Sequence, residues 1–187
     1  MTGTLFDDPP CQFTGNERDT LRIDRERIYI HKVVRINYTT YDMRCAQDSI
    51  NPTSHPDVLL LSSPDDPHPF AYARVLSVFH VNAYRVGPGL PEHPELERIE
   101  VLWARSFEVD ESAPGGFDAK RLHRLKFVDC NDEAAFVLLD PQQVVRGAHL
   151  IPAFHHSRTD EYLPGFSLAR REEETDDQDW KYFYVGM

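Results

Sequence analysis

Two long stretches of period-two hydrophobicity, 70-FAYARVLSVFHV-81 and 98-RIEVLWARSF-107, constrain this chain more than anything else in it. Alternation over that length marks a β-strand, because successive side chains point to opposite faces of a sheet. In the first stretch Ala71, Ala73, Val75, Phe79 and Val81 share one face, and Tyr72, Arg74, Leu76, Val78 and His80 the other. Neither face is cleanly polar, so part of this strand should be covered on both sides. In the second, Ile99, Val101, Trp103 and Phe107 share a face that Arg105 interrupts, and Trp103 is expected to be largely buried there. Residues 82–97 are polar and hold Gly87, Pro88, Gly89, Pro91 and Pro94, so they form a loop and not a crossover helix. The two strands should therefore pair antiparallel.

The flanking segments extend the same theme. In 28-IYIHKVVRINYTT-40, Ile28, Ile30, Val34, Ile36 and Tyr38 alternate with His31, Arg35 and Asn37, which reads as one half-buried strand. DVLLLS at 57–62, GAHLIPAF at 147–154 and the closing aromatic WKYFYVGM also read as strands. RLHRLKFVD at 121–129 and DEAAFVLLD at 132–140 fit a strand or a helical turn equally well. Asp140 and Pro141 have the chemistry of an N-cap and a first helical residue, predicting a short helix over 140–146. NPTSHP at 51–56, SPDDPHP at 63–69, 112–116 and the acidic run EEETDDQD at 172–179 are turns or loops. Residues 1–20 read as an irregular arm and 21–187 as one domain. The stop just after an aromatic strand suggests a chain cut from a longer one. Short strands joined by Pro/Gly loops favour a mostly β fold: a small twisted β-barrel or curled antiparallel sheet with short helices and long loops.

Charge and cysteine content narrow the function classes. The formal net charge is -11, whereas binding to a phosphate backbone needs clustered Lys and Arg, so a primary nucleic-acid role is disfavoured. An acidic surface instead suits basic partners such as Lys/Arg-rich peptide tails, or serves solubility alone. One segment opposes the trend. Lys120, Arg121, Arg124 and Lys126, with His123 among them, are the candidate phosphate contacts, or else partners for the acidic run near the C-terminus. No apolar stretch is long enough to suggest a membrane span, and the N-terminal residues lack a secretory pattern. Cys11, Cys45 and Cys130 are odd in number and far apart, which fits reduced thiols in an intracellular compartment.

Catalytic signals are weak. There is no GxSxG elbow, and GPG at 87–89 and GG at 115–116 lack phosphate-loop spacing. His149, His155, His156, His123 and Cys130 match no closed zinc set, and adjacent residues on a strand point to opposite faces, so no metal, cofactor or catalytic residue is assigned. Aromatic side chains near acids are a better lead, because ring faces attract cations. Tyr38, Tyr41, Asp42 and Tyr72 are the candidate binding residues, although most aromatics of the sheet should be core.

Four phrases carry a family resemblance. RINYTTYDMRCAQDSINPTSHPD, AYARVLSVFHV, IEVLWARSF and LDPQQVVRGAHLIPAF together resemble the C-terminal region of large transposon-encoded, transposase-type proteins of mushroom-forming fungi, across most of residues 28–187. Tyr72-Ala73-Arg74-Val75-Leu76 and Val101-Leu102-Trp103-Ala104-Arg105-Ser106-Phe107 are also similar to strands of bromo-adjacent homology (BAH) and plant transposase-associated domains. The resemblance implies a BAH-like, non-enzymatic protein-interaction module acting on chromatin in the nucleus, with basic, histone-type tails as partners. Any nucleic-acid contact would then come through the rest of the parent protein. The alternative is a structural or DNA-positioning appendage of a transposase that uses the basic cluster. The 82–97 loop and the closing aromatic strand depart from a minimal BAH pattern.

Overall fold

A computed structural model describes residues 19–40, 44–64, 66–87, 89–90, 94–116, 119–170 and 177–186. The chain divides into two compact units, Met1–Tyr29 with Val81–Ile99, and Ile30–His80 with Glu100–Met187. The fold is mostly β, and its described helical pieces are two single 3-10 turns. None of the described helices is long and apolar enough to cross a membrane.

The larger unit is built on one sheet. Its strands include β4 (Asp57–Leu61), β5 (Phe70–Arg85, in this unit as far as His80), β6 (Glu97–Val109, in this unit from Glu100), β7 (Arg124–Phe127), β9 (Val144–Gly147), β10 (His149–Pro152) and β13 (Phe183–Gly186). Their order is β10-β13-β7-β6-β5-β4-β9, with β1 (Leu21–His31) also on β5 and β8 (Phe136–Leu139) also on β6. The two long strands read from the sequence are thus hydrogen-bonded neighbours in the middle of the sheet. Two small pairs complete the fold: β2 (Val34–Thr39) with β3 (Cys45–Ile50), and β11 (Arg158–Thr159) with β12 (Asp179–Trp180).

The connection between β9 and β10 shows that this sheet is curled. β9 pairs with β4 at one edge and β10 with β13 at the other, yet only Ala148 lies between them. Laid flat at about 4.8 Å per strand, the edges would be roughly 29 Å apart. One intervening residue spans at most about 7.6 Å. The sheet must therefore bend round until its edges meet, and the Ala148 N–H donates to the Asp57 carbonyl at 2.8 Å at that seam. β9 and β10 do not pair with each other, so this is a curled sheet and not a closed barrel.

Alternation along the central strands gives both faces a core. On the convex face the β2–β3 hairpin packs Ile36 and Ile50 against Val58, Ala73, Val75, Leu102 and Ala104. On the concave face lie Phe107, Leu125, Phe127, Leu150 and Phe183, with Tyr72, Val109 and Val185 against them. Arg74 on β5 reaches the Phe183 ring on β13 at 4.9 Å, which a flat sheet would not allow. Coverage on both sides of β5 is as the sequence predicts.

Several local expectations change. Trp103 is only half-buried and tilts against Phe136 at 6.3 Å. The deep positions of β6 belong instead to Leu102 and Ala104 on one face and to Arg105 and Phe107 on the other. Segment 28–40 is two strands, broken at Lys32 and Val33. The helix predicted over 140–146 is a 3-10 turn, Pro141–Gln143, in which the Asp140 carboxylate accepts from the Gln142 N–H at 2.8 Å. Val144 onward is drawn into β9 by its pairing with β4. The two ambiguous segments resolve into β7 and β8. His155 and His156 sit in a 3-10 turn, Phe154–His156, and not on a strand.

In the smaller unit, β1 is kinked at Arg25 and Glu26, both with φ of 53°. The Val86 N–H donates to the Thr20 carbonyl at 2.8 Å, and Ala83 is buried while Leu21, Ile23 and Ile28 are exposed.

Candidate functional site

At one end of the curl, within the larger unit, the sheet encloses an open cavity of about 890 Å³. That is within the usual range for sites that hold a small ligand or a peptide side chain. Its walls include Leu59, Phe70, Tyr72, Val109 and Val185, and four histidines lie around it: His55, His68, His123 and His149.

Each imidazole is placed by local backbone chemistry. His123 opens β7 beyond a tight loop, in which the Gly116 N–H donates to the Arg121 carbonyl at 2.8 Å. A Cβ built on Gly115 or Gly116 would lie 3.0 Å from the His123 ring, so the two glycines let the ring lie against the backbone. His68 meets that ring edge-on, with centroids 5.7 Å apart. Its own N–H donates to the Asp66 carboxylate at 2.8 Å, which fixes the proline-rich loop. His149 pairs across the sheet with Gly186, where a Cβ would come 3.0 Å from the His149 ring and carbonyl oxygen. His55 closes the 51–55 turn, with Nδ1 3.0 Å from the Ser54 hydroxyl.

The charges of the lining are unevenly spent. Asp57 is held by Arg74 through two hydrogen bonds of 2.7 and 3.1 Å, both residues buried. Asp48 accepts from the Gly147 N–H at 2.9 Å and lies 3.8 Å from Arg146. Arg121 is exposed at the rim and, among the described residues, forms no ion pair. Burial pushes the Tyr72 hydroxyl above its ordinary pKa, so it stays a neutral donor.

The predicted aromatic site is not assembled as such. Tyr72 does line the cavity, but Tyr38 lies on β2, and its ring carries the Arg146 guanidinium at 4.9 Å. Tyr41 and Asp42 lie outside the described residues. An aromatic cage for a cation does exist deeper in the curl, formed by Phe107, Phe127 and Phe183, and the chain fills it itself. Arg74 lies 4.9 to 5.5 Å from all three ring centroids, and Arg105 lies 3.7 Å from that of Phe127.

The basic cluster is also divided. Arg124 donates to Asp110 at 2.6 Å and stacks on Tyr182 at 4.2 Å. Burial alone would raise the Asp110 pKa, but hydrogen bonds from Ser112 and Arg124 outweigh it and hold the carboxyl below its ordinary value. Lys126 pairs with Glu108 at 2.9 Å, and that hydrogen bond raises its pKa. Lys120 stands in the loop at φ 50°, and only Arg121 of the four reaches the cavity. Of the C-terminal acidic run, 172–176 lie outside the described residues, and Asp179 turns inward to Arg105 at 2.8 Å.

Among the described residues, no three His, Cys, Asp or Glu side chains are grouped to hold a metal. His123 and His149 do share the cavity, whereas His156 lies 3.2 Å from Arg124 and edge-on to Tyr182. His55 and His68 were missed by sequence reasoning. Their turn-rich neighbours mark loops, and nothing in the spacing reveals that those loops meet. The glycine pair at 115–116 was a readable signal, as a close-approach site and not as a phosphate loop.

No protein-family model, curated protein or solved structure matches this chain.

Proposed function

We propose that this chain is a non-enzymatic protein-interaction module whose partner inserts a short segment into the cavity at the end of the curl. One observation carries the reading: an open cavity of about 890 Å³ with an apolar seat of Leu59, Phe70, Val109 and Val185, whose two carboxylates, Asp48 and Asp57, are already engaged by the chain's own donors. Carboxylates committed in this way hold a shape and are poor candidates for moving protons. The histone-type partner and the chromatin setting stay part of the proposal. They draw on the family resemblance and on the net charge of -11, which would attract a basic chain from a distance. Arg74 fills the cage of Phe107, Phe127 and Phe183, so the basic side chains of such a tail would be drawn by the net negative charge of the chain while an uncharged or acidic segment enters the cavity.

The DNA-positioning alternative has less support. Arg124 and Lys126 are committed to carboxylates, which leaves Lys120 and Arg121 as a small basic spot.

A peptide array that includes histone tails, probed with the wild-type chain and with Leu122→Trp, tests the proposal. Leu122 is exposed at the cavity rim, so an indole there should obstruct entry without disturbing the core. Peptides that bind the wild type are expected to lose most of their signal with the variant. Binding that Leu122→Trp leaves intact, or an array with no binders, would remove the support for this reading.

A further inference from the structure

We propose that the cavity selects an amphipathic anion: a ligand with an apolar body and one carboxylate, sulfonate or phosphate group, the anion seated on Arg121 beside the rings of His68 and His123. The inference rests on the cavity being the ligand site and adds the charge and polarity of what enters it.

The balance of committed and uncommitted groups sets the sign. Both acids of the lining are occupied, Asp57 by a bidentate guanidinium and Asp48 by a backbone N–H with Arg146 nearby. Arg121 is the exposed cation of the lining that, among the described residues, has no carboxylate. A guanidinium presents a planar fork of donors that matches two oxygens of one anion, so an incoming carboxylate or sulfonate completes it. An incoming ammonium would instead face two guanidiniums, Arg121 and Arg146, with no free carboxylate in the lining to receive it.

The rings beside Arg121 add donors of the right kind. His123 is pressed against Gly115 and Gly116 and touched edge-on by His68, so both imidazoles hold their places before any ligand arrives. A neutral imidazole offers one N–H and a protonated one offers two, and either can complete the coordination of an anion at Arg121. The apolar body has its own seat in Leu59, Phe70, Val109 and Val185, which line the same cavity. A side-chain or small-molecule carboxylate would satisfy this chemistry equally, and the probes below separate the two sources.

The test uses the full chain with two fluorescent probes of nearly the same aromatic body, anilinonaphthalene sulfonate and its uncharged counterpart N-phenylnaphthylamine. The sulfonate is expected to bind one per chain and about tenfold more tightly than the neutral probe, the effect of a charge-assisted hydrogen bond. Arg121→Gln should erase that difference, Arg121→Lys should keep part of it, and rising salt should weaken the sulfonate alone. Both positions 121 and 122 are exposed, so an unchanged unfolding midpoint will confirm that the variants fold. Equal binding of the two probes, or a preference untouched by Arg121→Gln, would overturn the anion inference while leaving the cavity reading standing. If Leu122→Trp weakens neither probe, or if neither binds, the cavity reading falls and the inference with it. A Phe-Glu peptide and its Phe-Gln counterpart supply the last arm. Discrimination between them assigns the anion to a protein segment, and discrimination by the sulfonate pair alone assigns it to a small molecule.

Discussion

Arg105 is the residue on which the interior of the curl turns. Its side chain is 0% exposed and donates to Asp179 at 2.8 Å, while Arg170, 3% exposed, approaches the same carboxylate at 3.4 Å. Arg170 also donates to the carbonyls of Gly165 and Leu163, which ties the 163–170 loop to this site. Burial lowers the pKa of Arg105, against the charge of Asp179, and both guanidiniums depend on that one carboxylate among the described residues. Removing it leaves two buried cations, and uncompensated buried charge is among the costliest single changes. Asp179→Asn should therefore cost about 3–5 kcal/mol in urea unfolding. Arg105→Met should cost less, because Asp179 keeps Arg170 and the new side chain is apolar. The double variant should lose less than the sum of the two. A loss under 1 kcal/mol for Asp179→Asn would mean that the pair carries little of the fold. In the sequence Arg105 shows only as an interruption of an apolar face. Its partner lies 74 residues away, and nothing local marks either residue as buried.

At the scale of elements, the strands were legible because alternation is a property of a single segment. The strand character of 57–62 and of 70–81 and the capping chemistry of Asp140 and Pro141 all read correctly from neighbours in the chain, although Val78, expected on the face of Arg74, packs with Ala73 and Val75. What could not be read depends on partners. The 140–146 segment stops as a helix after one 3-10 turn because β4 offers an edge to Val144 onward, and Trp103 is half-buried because the deep layer of β6 is taken by its neighbours. The β10–β13 pair is the clearest such case. Gly186 sits opposite His149, and any Cβ there meets the His149 carbonyl oxygen at 3.0 Å, backbone that cannot rotate away. Gly186→Ala should destabilise the protein by about 1–3 kcal/mol, the usual range for overpacking. Hydrogen exchange should quicken first at the amides that join β10 to β13. An alanine tolerated with unchanged exchange would show that this edge of the curl is looser than its geometry implies.

Over the larger unit as a whole, two signs of charge act at different ranges. The chain carries a net charge of -11, yet the cavity lining leaves a guanidinium uncommitted and its carboxylates engaged. The sequence displayed the first fact and hid the second, because neutralisation depends on which acid folds against which base. The candidate site was accordingly legible only in fragments: Tyr72 and Arg121 were singled out for different reasons, and the curl brings both to one cavity. Amide chemical-shift mapping of the labelled chain, titrated with anilinonaphthalene sulfonate, tests that convergence most directly. Shifts are expected at Arg121, Leu122, His123, His149, Val185 and Tyr72, which lie far apart in sequence and together only in the curled sheet. Shifts centred instead on the β2–β3 hairpin or on the exposed Phe166 and Leu168, with those six amides unmoved, would contradict the account.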